Sequence, residues 1–263
     1  MENAEIKDVS MMVKIKALID KANSTDSQEE KDAFMMKAQE LIQKHGLEVS
    51  KIMAVKGGRN STGFTEEDII EEHIKYDENW DRELMRNVAV GNMCKIIYES
   101  SANLIYVIGC ESNVQSVHLL IDFYRKAIYN LAIEDAKNKK RRALMVAKSD
   151  KDRIKANSEE KSNIIDYLFG AVNGLKDALE KKEAIFEVEE FPSGNFNNGM
   201  QLMITGKSII TANKDRIDEY ISRTYPSLGY FRGGSGGGNP NSMGYAKGYS
   251  DGGGLGAGQR RLN

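Results

Sequence analysis

The chain predicts an α+β fold: an N-terminal helical hairpin followed by a mixed domain with long helices and a small antiparallel sheet. Three observations predict it. Proline first appears at Pro192, so everything before it can hold long helices without a proline break. Apolar residues recur at alternating three- and four-residue spacing over several long stretches, the period of a helix face. Between these stretches lie short runs of alternating residues bounded by turn residues, the pattern of strands.

The elements follow in order. Met12, Ile15, Leu18, Ile19 and Ala22 make one helical face, and Asn23–Ser24–Thr25–Asp26 interrupts it with turn residues. Ser27 and Glu30 have the S-x-x-E spacing of a capping box, opening a second helix with Phe34, Ala38, Leu41 and Ile42 on one face. Gly46 suits the left-handed position after that helix, and a short third helix runs through Val49, Ile52 and Met53. Gly57–Gly58–Arg59–Asn60–Ser61–Thr62–Gly63 reads as linker. This places a helical hairpin domain at 1–56, a linker at 57–68, an α+β domain at 69–228 and a Gly-rich flexible tail at 229–263.

Within the α+β domain a strand is expected near Ile69–Tyr76, then a helix carrying Trp80, Leu84 and Val88. A β-hairpin follows, over Cys94–Glu99 and Leu104–Ile108, turning at Ser100–Asn103. Ser112 and Gln115 have capping-box spacing, and Val114, Val117, Ile121, Tyr124, Ile128 and Leu131 continue as a seam of coiled-coil type. Residues 137–157 form a basic interruption, expected as an exposed helix extension or a loop. A third long helix is expected from Ser158, with Ile165, Leu168, Val172, Leu175 and Leu179. Strands at Phe186–Glu190 and Met200–Thr205, around a loop at Pro192–Gly199, precede a last helix at 208–224.

Composition bounds the function. Hydrophobic residues make up 40% and charged residues 29%, the balance of a folded chain, and the formal net charge is −2. A near-neutral total exerts no global pull on nucleic acid or anionic lipid, so such binding has to come from local patches. No apolar run approaches the ~20 residues that span a bilayer. The acidic start, Met1–Glu2–Asn3–Ala4–Glu5, lacks the basic and apolar regions of a secretory signal. With only Cys94 and Cys110 present, reduced thiols in a cytoplasm are expected rather than a disulfide framework.

Sites for chemistry are sparse. No two of His45, His73 and His118 stand at metal-ligand spacing, and neither H-E-x-x-H nor C-x-x-C occurs, so no metal and no cofactor is expected. His45 suits the last turn of its helix, and His118 reads as a packed or partly exposed helix residue. Gly206–Lys207–Ser208 sits between a strand and a helix, the context of a phosphate loop. Such a loop needs glycine at position 201, which is Gln201, so nucleoside-triphosphate hydrolysis is rejected and Ser208 is read as a helix cap. Cys94 and Cys110 read as buried small hydrophobes, and Glu66–Glu72 as a solvated acidic face.

The functional lead is electrostatic. Lys137, Lys139, Lys140, Arg141, Arg142, Lys148, Lys151, Arg153 and Lys155 crowd one stretch, opposed there by Asp150 and Asp152. Such clusters neutralise phosphates and release counterions. The tail interleaves cations and aromatics, with Tyr245, Lys247, Tyr249, Arg260 and Arg261 as candidate contacts to single strands, whose bases stack on rings. Gly244, Gly248, Gly252 and Gly256 recur every fourth residue. On a helix they would make one smooth face for close packing. Glycine disfavours a helix by about 1 kcal/mol per position, so disorder until binding is the expected state.

The run Lys14–Ala22, then Glu29 and Glu30, Lys37–Ile42 and His45–Gly46–Leu47 resembles a phage and prophage family catalogued as domain of unknown function 2786. The remainder resembles the companion domain that usually follows it, through Trp80 with Leu84, Val107–Ile108–Gly109 before Asn113–Val114, Phe169–Gly170 with Gly174–Leu175, and the glycine tail. The resemblance implies an origin in a virus or mobile element of bacteria, and no established activity. The chain therefore reads as a non-enzymatic, nucleic-acid-associated phage or prophage protein in the bacterial cytoplasm, an accessory of recombination or replication. The alternative is a protein-binding inhibitor of host functions such as an anti-defence factor; a hydrolase or nuclease built from dispersed carboxylates ranks third. Expected partners are nucleic acid or a host protein, with self-association open and no membrane.

Overall fold

The computed structural model describes residues 69–195, 201–229 and 237–257, and scattered positions between 13 and 41. It is α+β. The chain divides into two compact units that alternate along the sequence: 1–75, 89–119 and 180–230 form the first, and 76–88, 120–179 and 231–263 the second. His45, Gly46, the short helix around Val49–Met53 and the 57–68 linker lie outside the described residues.

In the first unit, the described positions from 13 to 24 and from 30 to 41 are helical, apart from Thr25 and Ser27 between them. Ile15, Ala22 and Ala38 are buried, in keeping with the expected faces. Lys21 stands over the Phe34 ring at 5.7 Å, a cation–π contact between the two segments. The Glu30 amide donates to Ser27 Oγ at 3.4 Å, one half of the expected capping box; the Glu30 carboxylate turns to the Thr25 hydroxyl, 2.5 Å away.

The sheet of this unit has the order β1–β3–β2, with β1 Ile69–Lys75, β2 Lys95–Glu99 and β3 Leu104–Cys110, all antiparallel. Register places Ile69 opposite Cys110 and Ile97 opposite Tyr106. Because side chains alternate faces, Ile69, Ile97 and Ile108 share one face. That face packs on Ile217 of the helix α4, Gly206–Thr224, with Tyr106, Tyr220, Ile221 and Tyr225 around it. Asn103 takes the turn between β2 and β3 at φ 54°, a conformation asparagine tolerates.

The approach to β2 is set by the helix α1, Asn79–Gly91. The Cys94 amide donates to the Ala89 carbonyl and the Met93 amide to the Val90 carbonyl, a Schellman termination. Its left-handed position falls on Met93, at φ 57°, not on a glycine. Asn213 donates to the Met93 carbonyl at 2.8 Å and holds it there. A Cβ on Gly109 would lie 2.7 Å from Cys94 Sγ, so a glycine in β3 admits that thiol. Cys94 and Cys110 are both buried thiols, and the Cys110 thiol donates to Asn213 Oδ1 at 3.5 Å. Burial first, and the neighbouring Cys110 second, push the Cys94 thiol up.

The second unit is built on two long helices, α2 Glu111–Val146 and α3 Asp150–Glu187, whose outer ends belong to the first. The seam expected on α2 is buried from Val114 to Ile128, after which Ala132 and Ala136 continue it in place of Leu131. α2 begins at Glu111, so Ser112 falls within the first turn and not at the cap position its spacing assigned it; Gln115 Nε2 donates to the Glu111 carboxylate at 2.9 Å.

α3 begins at Asp150, not at Ser158. The reason is local: Ser149 Oγ accepts from the Asp152 amide at 3.2 Å, and the Asp152 carboxylate accepts from the Ser149 amide at 3.0 Å. This reciprocal box starts the helix inside the basic run. The Ser149 hydroxyl, then the Lys148 amide, hold the Asp152 carboxyl below its ordinary range. That contribution is present above the unfolded carboxyl's titration and is lost as pH falls through the lowered folded value. Ser149→Ala is expected to speed amide exchange in the first turn of α3 about fivefold, the equivalent of a lost cap.

At its other end α3 runs through Phe186, expected as strand, because Phe186 is buried with Ile209 and Ile210. The second sheet is β4 Glu190–Asn195 against β5 Gln201–Thr205. Pro192 lies within β4, next to a register irregularity, a setting that tolerates its missing N–H.

The tail is not flexible throughout. Met243–Ala257 is a helix, α5, and its Gly244, Gly248, Gly252 and Gly256 are buried. They face α3: a Cβ on Gly248 would lie 2.1 Å from the Tyr167 carbonyl oxygen, and one on Gly252 2.0 Å from that of Ala171. From the α3 side, a Cβ on Gly170 would meet the Tyr245 carbonyl oxygen at 2.1 Å, and one on Gly174 that of Tyr249 at 1.9 Å. The two backbones touch in parallel, the small-xxx-small geometry. Six glycines, Gly244, Gly248, Gly252, Gly253, Gly254 and Gly256, would together disfavour this helix in isolation by about 5 kcal/mol relative to alanine. It forms because docking on α3 offsets that cost.

Candidate nucleic-acid interface

The basic run occupies the closed end of the α2–α3 hairpin. α2 carries Lys137 to Arg142, Ala147–Ser149 makes the turn, and α3 carries Lys151, Arg153 and Lys155. Lys140 pairs with Glu160 across the hairpin at 2.9 Å. Beyond that bridge α2 runs on through Arg141–Val146 and α3 begins with Asp150–Glu159, about 9 Å and about 15 Å of helix at 1.5 Å per residue. Of residues 141–159 only Ala156 is buried. The tip is thus a projecting arm, an extension of both helices past the core that forms them.

The predicted cations divide into two sets. Lys139 pairs with Asp135 at 2.7 Å, and a Cβ on Gly244 would lie 3.2 Å from its Nζ, so α5 closes over it. Lys140 is held by Glu160. Both side chains are partly covered, 26% and 31% exposed. Arg141, Arg142, Lys148, Lys151, Arg153 and Lys155 line the outward surface of the arm, and Lys137 lies on α2 nearer the core. Arg141 donates to Asn138 Oδ1. Arg153 and Lys155 have loose helical partners, Asp150 at 3.9 Å and Glu159 at 3.7 Å. Asp152, the other nearby carboxylate, is engaged as a cap.

The tail residues are placed elsewhere. Tyr245 accepts from Asn173 Nδ2 at 2.8 Å, Tyr249 donates to Asp177, and Lys247 pairs with Asp251 at 3.0 Å. The two tyrosine bonds seat α5 on α3; the ring of Tyr249 keeps an open face, being 40% exposed. Arg260 and Arg261 lie outside the described residues.

Other sequence candidates are structural. Gly206–Lys207–Ser208 opens α4, but the cap is Thr205, whose hydroxyl accepts from the Ser208 amide at 3.3 Å; Ser208 is the third helical residue, not the cap. A Cβ on Gly206 would lie 1.9 Å from the Phe186 carbonyl oxygen, so that glycine serves packing. Glu72 pairs with His118 at 2.7 Å, and Glu71 accepts from the Tyr225 hydroxyl at 2.5 Å, so these two are engaged carboxylates and not a bare acidic face. Among the described residues, no group of three or more His, Cys, Asp or Glu is arranged to hold a metal ion, and no helix is long and apolar enough to cross a membrane.

Sequence reasoning passed over a second feature of the arm. Met145 is 77% exposed, Val146 75%, Ile154 69% and Leu144 39%, an apolar group set among the cations. The signal was present: apolar residues inside a charged run, on helices with no core to bury them.

No curated protein and no solved structure matches the chain. A family model does: residues 10–49 match DUF2786, described as a protein of unknown function.

Proposed function

We propose that this chain is a non-enzymatic, nucleic-acid-associated protein of a phage or prophage, an accessory of recombination or replication, and that the α2–α3 arm is its contact surface. One observation carries the reading. Six cations, Arg141, Arg142, Lys148, Lys151, Arg153 and Lys155, stand on a projecting arm whose only carboxylates up to Lys155 are Asp150 and Asp152. Against a whole-chain charge of −2 this is a concentrated local positive field. Cations on an arm free of the core reach phosphates without reading sequence. The phage or prophage origin rests on the resemblance of the N-terminal segment.

The test is binding of labelled single- and double-stranded DNA and RNA by the full chain, followed by anisotropy across a salt series. Reversal of Arg141, Arg142, Lys151 and Arg153 to glutamate is expected to weaken binding about 100-fold or more for many sequences alike. It should also lower the salt slope by ~0.7–0.9 for each phosphate that is no longer neutralised. Reversal of Lys14, Lys16 and Lys21 serves as control and should matter far less. Equal weakening by both sets would point to diffuse electrostatics, and no binding by the unmodified chain at low salt would remove the reading. The exposed Leu144, Met145, Val146 and Ile154 favour a second reading, a protein-binding inhibitor of host functions. One stoichiometric host protein, in place of nucleic acid, copurifying from infected cells would support it.

A further inference from the structure

Backbone neutralisation needs only the cations of the arm; it leaves its apolar residues unexplained. Met145 and Val146 occupy the last turn of α2 and are 77% and 75% exposed, and Ile154 on α3 is 69% exposed. Arg141 and Arg142 precede Met145 and Val146 by four residues each, so every apolar side chain of the pair has a cation one turn behind it in the same helical row. Lys148 and Lys151 follow across the turn. The pattern is an apolar centre with a cationic periphery. A base stack has the complementary pattern: apolar faces inside, phosphates along both edges.

We propose that Met145 and Val146 insert at a base step of duplex DNA and partly unstack it, while Arg141, Arg142, Lys148 and Lys151 hold the flanking phosphates. The inference rests on the nucleic-acid reading of the arm and adds the form of the nucleic acid it takes: a duplex that opens at a step, above all one already weakened by a mismatch. Apolar wedges of methionine, leucine or isoleucine act this way in proteins that kink DNA. The helical arm supplies the rigidity that insertion needs, since Lys140–Glu160 ties its two helices together and the Ser149–Asp152 box orders the turn. An anionic bilayer also has charge outside and apolar matter within, but interfacial anchoring takes a strongly amphipathic helix that lays one apolar face in the membrane plane. Here the apolar surface is confined to four residues, Leu144, Met145, Val146 and Ile154.

The experiment uses the full chain and a short duplex carrying 2-aminopurine, which brightens when unstacked, prepared fully paired and with one mismatch. The unmodified protein is expected to brighten the probe and to bind the mismatched duplex about tenfold more tightly, because a mismatch lowers the unstacking cost. Met145→Ser combined with Val146→Ser should abolish both effects yet keep affinity for the paired duplex within about threefold, as phosphate contacts remain. Both positions are exposed, and unchanged helical circular dichroism checks the fold. Binding without brightening or mismatch preference, or a variant that behaves like the unmodified chain, would overturn insertion and leave nucleic-acid binding standing. Absence of any DNA or RNA binding would overturn both. Binding to phosphatidylglycerol vesicles that the double substitution abolishes, with no DNA binding, would make the arm a membrane contact and overturn both as well.

Discussion

Gly252→Ala is expected to destabilise the second unit by about 3 kcal/mol or more, although alanine is the better helix former. A Cβ there would lie 2.0 Å from the Ala171 carbonyl oxygen and 2.7 Å from its Cα. These are backbone atoms in the middle of α3, and no rotamer change relieves the overlap. Relief requires α5 to lift away, which exposes the Gly170–Gly174 face and releases the bonds of Tyr245, Tyr249 and Asp251 to α3. Gly254→Ala supplies the opposite sign on the same helix. Nothing lies within 4 Å of a Cβ at that position, so the substitution keeps only the gain in propensity, about 0.5–1 kcal/mol of added stability. Denaturant melts of the two variants, with limited proteolysis between α4 and α5, check the pair. If both substitutions stabilise, α5 is not seated on α3 by its glycine face.

Arg125→Met is expected to be of similar weight, about 3–5 kcal/mol, because it strands a buried charge. Asp81 is only 2% exposed, and Arg125 forks onto it with Nε 2.8 Å from Oδ1 and Nη2 3.0 Å from Oδ2. The Asp77 amide donates to the same carboxylate at 3.3 Å. The reverse change, Asp81→Asn, leaves an arginine whose side chain is 30% exposed and partly hydrated, and should cost about 1–2 kcal/mol. The asymmetry distinguishes a desolvated carboxylate from a surface pair. Equal and small effects from both variants, measured by urea unfolding, would show that the pair is solvated and contributes little.

Much of the architecture is written in local pattern. The period of Val114, Val117, Ile121, Tyr124 and Ile128 predicts a buried helix face, and those residues are buried. Alternation around Ile97 and the turn at Asn103 predict the β2–β3 hairpin, found with Asn103 in the left-handed region. The start of α3 is equally local: Ser149 and Asp152 have capping-box spacing, hidden by the surrounding positive charge. Such features depend on residues within one turn of each other, so a linear reading can reach them.

Other features depend on what lies opposite in space. Glycines at every fourth position oppose a helix locally, so the pattern of α5 predicts flexible chain, and only close approach of the α3 backbone reverses the balance. Met93 adopts a conformation that local sterics disfavour because Asn213, far along the chain, holds its carbonyl. The basic run is legible as charge, but the number of cations does not tell which of them face water. Lys139 is closed over by α5 and Lys140 is engaged by Glu160, while Met145 and Val146, apolar and so expected to be covered, stand open on the arm. Sequence by itself determined the period and type of the elements apart from α5 and the Phe186 end of α3, because hydrophobic spacing and capping act over a few residues. Tertiary structure alone decided which cations and which apolar groups remain on the surface, because burial is set by contacts between segments distant in the chain.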